Sequence, residues 1–126
     1  MVLTSHRSKR KSTGRKYRSY RSKRIFEIRS AAALTKVGER RVKVRRAVGG
    51  LIKRFLLADN QINVYDAKSK KYSKVEVKAV VENTANRHFV RRNILTKGAV
   101  VSTDLGNVKI TSRPGQEAVL NGILVQ

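Results

Sequence analysis

The sequence predicts a mainly β protein: a single small β-barrel of about six short strands over residues 40–126, preceded by a long basic N-terminal extension over residues 1–39. Three observations predict it. Beyond residue 40, apolar residues recur at every second position in short runs, the period of a half-buried strand. Turn-forming residues separate those runs: Gly49-Gly50, Asp59-Asn60, Leu105-Gly106-Asn107 and Pro114-Gly115. Residues 1–24, by contrast, hold almost no apolar residue beyond Val2, Leu3, Tyr17 and Tyr20. That stretch cannot bury enough surface to offset the entropy of ordering it, and is expected to be disordered until a partner orders it.

Residues 1–24 form a low-complexity arm of Ser, Gly, Lys and Arg without a sustained period of 2 or 3.6. Residues 25–39 are a transition in which Ile25, Phe26 and Ile28 are expected to anchor the arm to a folded body, and Ala31 to Leu34 to make a helical turn. Val42, Val44 and Val48 lie on one face of a short strand ending at Gly49-Gly50. Residues 51–58 form a second, apolar strand that stops at Asp59-Asn60. Ile62 and Val64 alternate with Asn63 and Tyr65, and residues 66–71 make a lysine-rich loop. The clearest strand follows, with Val75, Val77, Ala79 and Val81 facing one way and Lys74, Glu76 and Lys78 the other. Residues 99–103 and 108–112 flank a hairpin turn, and residues 119–125 form a closing strand. Residues 83–97 read either way: Phe89, Val90 and Ile94 suit a short helix, whereas Asn83, Asn86 and Asn93 favour a turn and loop.

The charge is large and uneven. Thirty Lys and Arg face eight Asp and Glu, a formal net charge of +22, and residues 1–54 hold 19 of the cations and 2 of the acids. A polycation that dense repels itself unless a polyanion neutralises it. Nucleic acid is the abundant one, and each neutralised phosphate also releases condensed counterions. The absence of cysteine excludes a disulfide scaffold and a cysteine-ligated metal. No apolar run approaches the roughly 20 residues of a membrane span, so no membrane is expected as a partner. The basic N-terminus lacks the apolar segment of a secretory signal and the helical apolar spacing of a mitochondrial presequence.

Three basic clusters are candidate RNA-binding residues. The first is the arm: Arg7, Lys9, Arg10, Lys11, Arg15, Lys16, Arg18, Arg21, Lys23 and Arg24, interleaved with Tyr17 and Tyr20. Aromatic rings between cations suit unpaired bases, which RNA presents in loops and bulges. The second is Arg40, Arg41, Lys43, Arg45 and Arg46, where alternation sets Arg41, Lys43 and Arg45 opposite Val42 and Val44. The third is Arg87, His88, Arg91, Arg92 and Lys97, in a turn-rich segment suited to gripping a backbone. Each also has a plainer reading, as a solvated tail, a localisation signal or a polar surface. His6 and His88 lie far apart without a carboxylate pattern, the acids show no paired spacing, and no phosphate-binding glycine loop occurs. No enzyme activity, cofactor or small-molecule substrate is therefore expected. The rival binding function, compaction of duplex DNA, suits the tyrosine-interleaved arm less well than irregular RNA does.

Several segments, in order and spacing, carry a family resemblance. They are Lys9-Arg10-Lys11-Ser12-Thr13-Gly14-Arg15-Lys16, Lys23-Arg24-Ile25-Phe26-Glu27, Ala32-Ala33-Leu34-Thr35-Lys36-Val37-Gly38, Arg40-Arg41 and Gly49-Gly50-Leu51-Ile52-Lys53-Arg54. Further on come Val81-Glu82-Asn83-Thr84-Ala85-Asn86-Arg87, the run from Val90 to Ala99, and Thr111-Ser112-Arg113-Pro114-Gly115-Gln116. Together they resemble small-subunit ribosomal protein eight of the archaeal–eukaryotic type, and the last motif and short C-terminus resemble its archaeal members. The chain departs from the family at Ile28-Arg29-Ser30, where a Gly-Arg-Pro-like step is usual. The resemblance implies a small barrel whose basic arm threads into small-subunit ribosomal RNA, with Lys36, Lys53 and Arg54 joining the RNA-binding residues. It further implies neighbouring ribosomal proteins as partners and a cytoplasmic place in the small subunit.

Overall fold

The computed structural model describes residues 3–4 and 8–125; Arg7 and His6 lie outside the described residues. By contact, the chain divides between Ala32 and Ala33 into two compact units.

In the first unit, β1 (Leu3–Thr4) pairs antiparallel with β2 (Ile28–Arg29). Between them, a tight loop is closed by the Lys11 N–H donating to the Arg15 carbonyl at 2.8 Å and the Tyr17 N–H donating to the Lys9 carbonyl at 3.1 Å. A 3₁₀ turn at Ile25–Glu27 follows, capped where the Arg24 N–H donates to Glu27 Oε2 at 3.1 Å. Among the described side chains from 8 to 32, none is buried. Ile25 is 90 % and Phe26 78 % exposed, so the anchoring expected of them is not made by burial. Residues 31–34 form no helical turn.

The second unit is the barrel with a projecting ribbon. The ribbon pairs β3 (Arg41–Arg46) with β4 (Ile52–Ala58), antiparallel. Its tip is a 3₁₀ turn at Val48–Gly50, where Gly49 and Gly50 have φ of 75° and 77°. Two consecutive left-handed residues are accessible at little cost only to glycine. The closed barrel contains five strands: β5 (Gln61–Asp66), β6 (Lys71–Glu82), β7 (Val100–Thr103), β8 (Gly106–Ile110) and β9 (Asn121–Leu124). Neighbours are antiparallel except β9, which closes the barrel parallel to β5. Ile62, Val64, Val77, Val80, Val101, Val108 and Ile110 fill the interior, with Leu56, Leu95, Ala99 and Leu120 packed into the same cluster. Gly122 sits where strands approach too closely for a side chain: a Cβ there would lie 2.5 Å from Val108 Cγ1 and 3.0 Å from the Lys109 carbonyl oxygen.

The two strands over residues 42–58 exist as expected, but form the ribbon rather than barrel staves. A stave needs an unbroken inward apolar row. On the valine side of this ribbon, Val44 faces Arg54 and Ile52 faces Arg46, and burying either guanidinium without a partner would be costly. The alternation along β6 also breaks. Val77 pairs with Thr103, but Ala79, not Lys78, pairs with the next residue, Ser102. This bulge flips the phase, so Val80 points inward at 5 % exposure while Val81 stands 52 % exposed. Residues 83–97 combine both readings, a single helical turn α1 (His88–Arg91) within a loop. Asn83 holds that loop: its side chain donates to the Ile94 carbonyl at 3.2 Å and accepts from Thr96 Oγ1 and the Ala85 N–H, each at 3.0 Å.

Residues 35–38 run as a strap through this unit. The Lys36 N–H donates to Leu57 O at 3.0 Å, the Asp59 N–H to Lys36 O at 3.1 Å, the Val37 N–H to Asn93 O at 3.2 Å and the Leu95 N–H to Thr35 O at 2.8 Å. Buried Thr35 adds a hydroxyl bond to the Leu56 carbonyl at 2.8 Å. The ribbon and the α1 loop are thereby fixed to one short segment.

The β6 bulge sets a sharp contrast. Val80→Ala should lower unfolding stability by about 1–3 kcal/mol, from lost transfer energy and a residual cavity. Val81→Ala should change it by less than about 0.5 kcal/mol in denaturant titrations of the full chain. Equal effects would place both valines in equivalent environments and remove the bulge.

Candidate nucleic-acid interface

The arm's cations are gathered by local turns. Residues Arg10 and Lys16 pair across the loop, and Arg10 Nη1 donates to the Gly14 carbonyl at 2.8 Å. Lys9, Arg10, Lys16, Arg18, Arg21 and Lys23 line a cleft of about 660 Å³ with Tyr17, Tyr20 and Glu27. Cations sit over both rings: Lys11 Nζ is 5.5 Å from the Tyr17 centroid and the Arg21 guanidinium 5.2 Å from that of Tyr20. Arg21 also forms a forked ion pair with Glu27, at 2.6 and 3.0 Å. That pair, with the Tyr20 hydroxyl second, raises the Arg21 pKa further above its ordinary value, so this guanidinium is permanently charged and oriented. Arg15 and Arg24 are exposed nearby in sequence.

The ribbon carries the second cluster. In an antiparallel pair, directly opposed residues share a face. Lys43 and Arg45 therefore stand beside Phe55 and Lys53 on one side, while Arg46 and Arg54 stand with Val44 and Ile52 on the other. Arg41, Lys43, Arg45, Arg46, Lys53 and Arg54 are all exposed. The ribbon is thus cationic on both sides; alternation over 41–45 suggests a cationic face over an apolar one, but Arg46 at the end of β3 and Arg54 of β4 both stand on the valine side.

Arg40, at the base of the ribbon, is engaged differently. Its Nη2 donates to the Ala118 carbonyl at 3.0 Å, and its Nη1 lies 3.6 Å from Asp59 Oδ2. Asp59 is 1 % exposed, and its Oδ2 has no hydrogen-bond partner among the described residues. Arg40 supplies the positive charge facing a buried carboxylate. Lys36 is exposed at its side chain while its backbone serves the strap.

The third cluster lies on the α1 loop. Arg87, His88, Arg91 and Arg92 are exposed, and the Asn86 side chain accepts from the His88 N–H at 2.9 Å. Asn93, with a φ of 48°, turns the chain back and accepts from the Val80 N–H at 3.2 Å. Lys97 is exposed just before Gly98. The loop and the ribbon are fastened to the same strap, so their cations belong to one rigid frame. Such clusters can neutralise closely spaced phosphates and, through arginine, offer forked hydrogen bonds to them.

The sequence pattern of the family described as "Ribosomal protein S8e" matches residues 4–125. The chain belongs to this family. Among its relatives is the small ribosomal subunit protein eS8 of Nanoarchaeum equitans, 48 % identical over 120 residues that cover 95 % of this chain and 94 % of that protein. The proteins of the same name from Methanocorpusculum labreanum and Picrophilus torridus are 44 % and 42 % identical over 125 residues, covering 99 % of this chain and 100 % of each relative. These S8e relatives are archaeal and match nearly the whole of this chain, extension and barrel together.

Arg40 should behave unlike the ribbon cations of this S8e chain. Arg40→Ala leaves a buried carboxylate unopposed and should lower stability by about 1–2 kcal/mol, discounted for the arginine's partial exposure. Arg45→Ala and Arg46→Ala should leave the thermal midpoint within error or raise it slightly by relieving repulsion. A harmless Arg40→Ala would remove the structural role of that pair.

Proposed function

We propose that this chain is a structural constituent of the small ribosomal subunit that binds and stabilises folded ribosomal RNA through its cationic arm and a basic surface on the barrel unit. It acts as a scaffold and not as an enzyme. One observation carries the reading: eight carboxylates can neutralise at most eight of thirty cations, and the surplus is concentrated in the arm, the ribbon and the α1 loop. A polyanion must supply the rest. Membership of the S8e family supports ribosomal RNA as that polyanion, neighbouring ribosomal proteins as further contacts, and the cytoplasmic small subunit as the location.

The mechanism is electrostatic and steric. The arm lies between RNA helices, neutralises phosphates that would otherwise repel each other, and takes its working conformation from the RNA. Lys9, Arg10, Lys11, Arg15, Lys16, Arg18, Lys23 and Arg24 provide charge; Tyr17 and Tyr20 provide stacking surfaces for unpaired bases. The ribbon and α1 loop meet the backbone as fixed groups. Specificity then follows RNA shape more than base edges.

Deleting residues 1–24 tests the division of labour. No core residue of the barrel lies in that stretch, so the melting temperature without RNA should hold or rise. Affinity for small-subunit ribosomal RNA should fall on the order of 100-fold or more, because the phosphate contribution scales with contacts made. Unimpaired RNA binding by the truncated chain would move the interface wholly onto the ribbon and loop; unfolding would make the arm part of the core.

A further inference from the structure

The barrel has a second built surface that none of the basic clusters includes. On β5, Ile62 and Val64 point inward, so Asn63 and Tyr65 point out. Register places Tyr72 beside Tyr65 and Lys74 beside Asn63 on one flank. The parallel closure of the barrel places Asn121 beside Asn63 and Ile123 beside Tyr65 on the other. Two rows result: Tyr72, Tyr65 and Ile123 form one, and Lys74, Asn63 and Asn121 the next.

The surface is concave, a groove of about 670 Å³ that also reaches Thr111. The tyrosine rings pack with centroids 4.9 Å apart and planes tilted by 39°, while Tyr72 remains 78 % exposed and Ile123 43 % exposed. In the polar row, Asn63 Nδ2 donates to Asn121 Oδ1 at 3.0 Å. This bond orients the two amides and leaves Asn63 Oδ1 as an acceptor beside the Asn121 amide as a donor. A nucleobase edge presents the complementary pair. Lys74 supplies a cation at the end of that row. The adjoining turn adds Lys68 and Lys70, while its acid, Asp66, is occupied by the Lys68 N–H at 2.9 Å and Ser69 Oγ at 2.7 Å. Glu76 lies one row further along, opposite Gln61.

We infer that this face of β5, β6 and β9 binds one unpaired nucleotide of RNA, its base stacked on Tyr72 and Tyr65, its polar edge on Asn63 and Asn121, and its phosphate on Lys74. The inference rests on RNA being the partner and adds a site that reads a base. An exposed aromatic pair, an adjacent donor–acceptor pair and a flanking cation are the three parts such recognition requires. A protein partner would be met by the same apolar row, but would not need the oriented amides or the lysines.

The test is an NMR titration of the full-length chain with an eight-nucleotide oligoadenylate RNA, reading the Asn63 and Asn121 side-chain amides and the β5, β6 and β9 backbone amides. These signals report this face separately from the arm. They should shift saturably; Tyr72→Ala should weaken the local affinity about tenfold or more, and Tyr72→Phe, which keeps the ring, should retain it. Because Tyr72 is exposed, both variants should fold, which the unchanged core signals would verify. In parallel, binding of the same variants to small-subunit ribosomal RNA reports the broader reading. Two results overturn the nucleotide site while RNA binding stands: shifts confined to the arm and basic clusters, or local affinity unaffected by Tyr72→Ala. Loss of contact to another ribosomal protein on Tyr72→Ala, with oligonucleotide shifts unchanged, also overturns it and reassigns the face. If the wild-type chain fails to bind ribosomal RNA at all, the broader reading falls, and this inference with it.

Discussion

Self-repulsion is the constraint under which the whole chain is built. A formal charge of +22 on 126 residues cannot be neutralised internally by eight carboxylates, even where pairs such as Arg21–Glu27, Arg40–Asp59 and Lys78–Asp104 form among the described residues. The fold answers by segregation. Inward positions of the barrel are apolar, while cations stand on the ribbon, the α1 loop and the arm. Where the sequence needs arginines on both faces of a pair of strands, that pair leaves the barrel and becomes a ribbon. The charge pattern thus bears on topology as well as on surface.

Segregation alone would leave the ribbon and the α1 loop loosely placed. The strap at residues 35–38 prevents this by bonding through its backbone to β4, to the residue that ends it, and to the segment after α1. Side chains add to these backbone bonds: the buried Thr35 hydroxyl donates to the Leu56 carbonyl, and Val37 packs against the core. Arg40 then spends its charge on Asp59 at the foot of the ribbon. A cation that looks in the sequence like its neighbours is in this way given a structural task.

Much of this was legible in the sequence because it is local. Alternation at 62–65 and 74–77, a hairpin turn near Leu105 and the contiguous basic runs depend on neighbours within a few positions, although pairing sets the turn at Asp104-Leu105 rather than Leu105-Gly106-Asn107 and extends β5 and β6 into the expected loop at 66–71. What was hidden depends on distant pairing. The bulge near Lys78 arises from how β6 meets β7, so alternation places Val81 rather than Val80 inside. The β4 arginine opposite Val44 is fixed by hairpin register. The tyrosine and asparagine face joins residues 63, 65 and 72 to residues 121 and 123 through a parallel closure that no local period announces. The available signal was slight: Tyr65 and Tyr72 are the two tyrosines outside the arm, on strands flanking one short loop.

The central claim is that charge neutralisation drives binding to ribosomal RNA. The most direct measurement is the affinity of the full chain for a folded small-subunit ribosomal RNA fragment as a function of salt. If the arm makes on the order of ten phosphate contacts, the slope of log affinity against log salt should be steeper than about −5. A nearly flat slope would contradict the account, because it would assign the binding energy to apolar or base-specific contacts and leave the excess cations without a function.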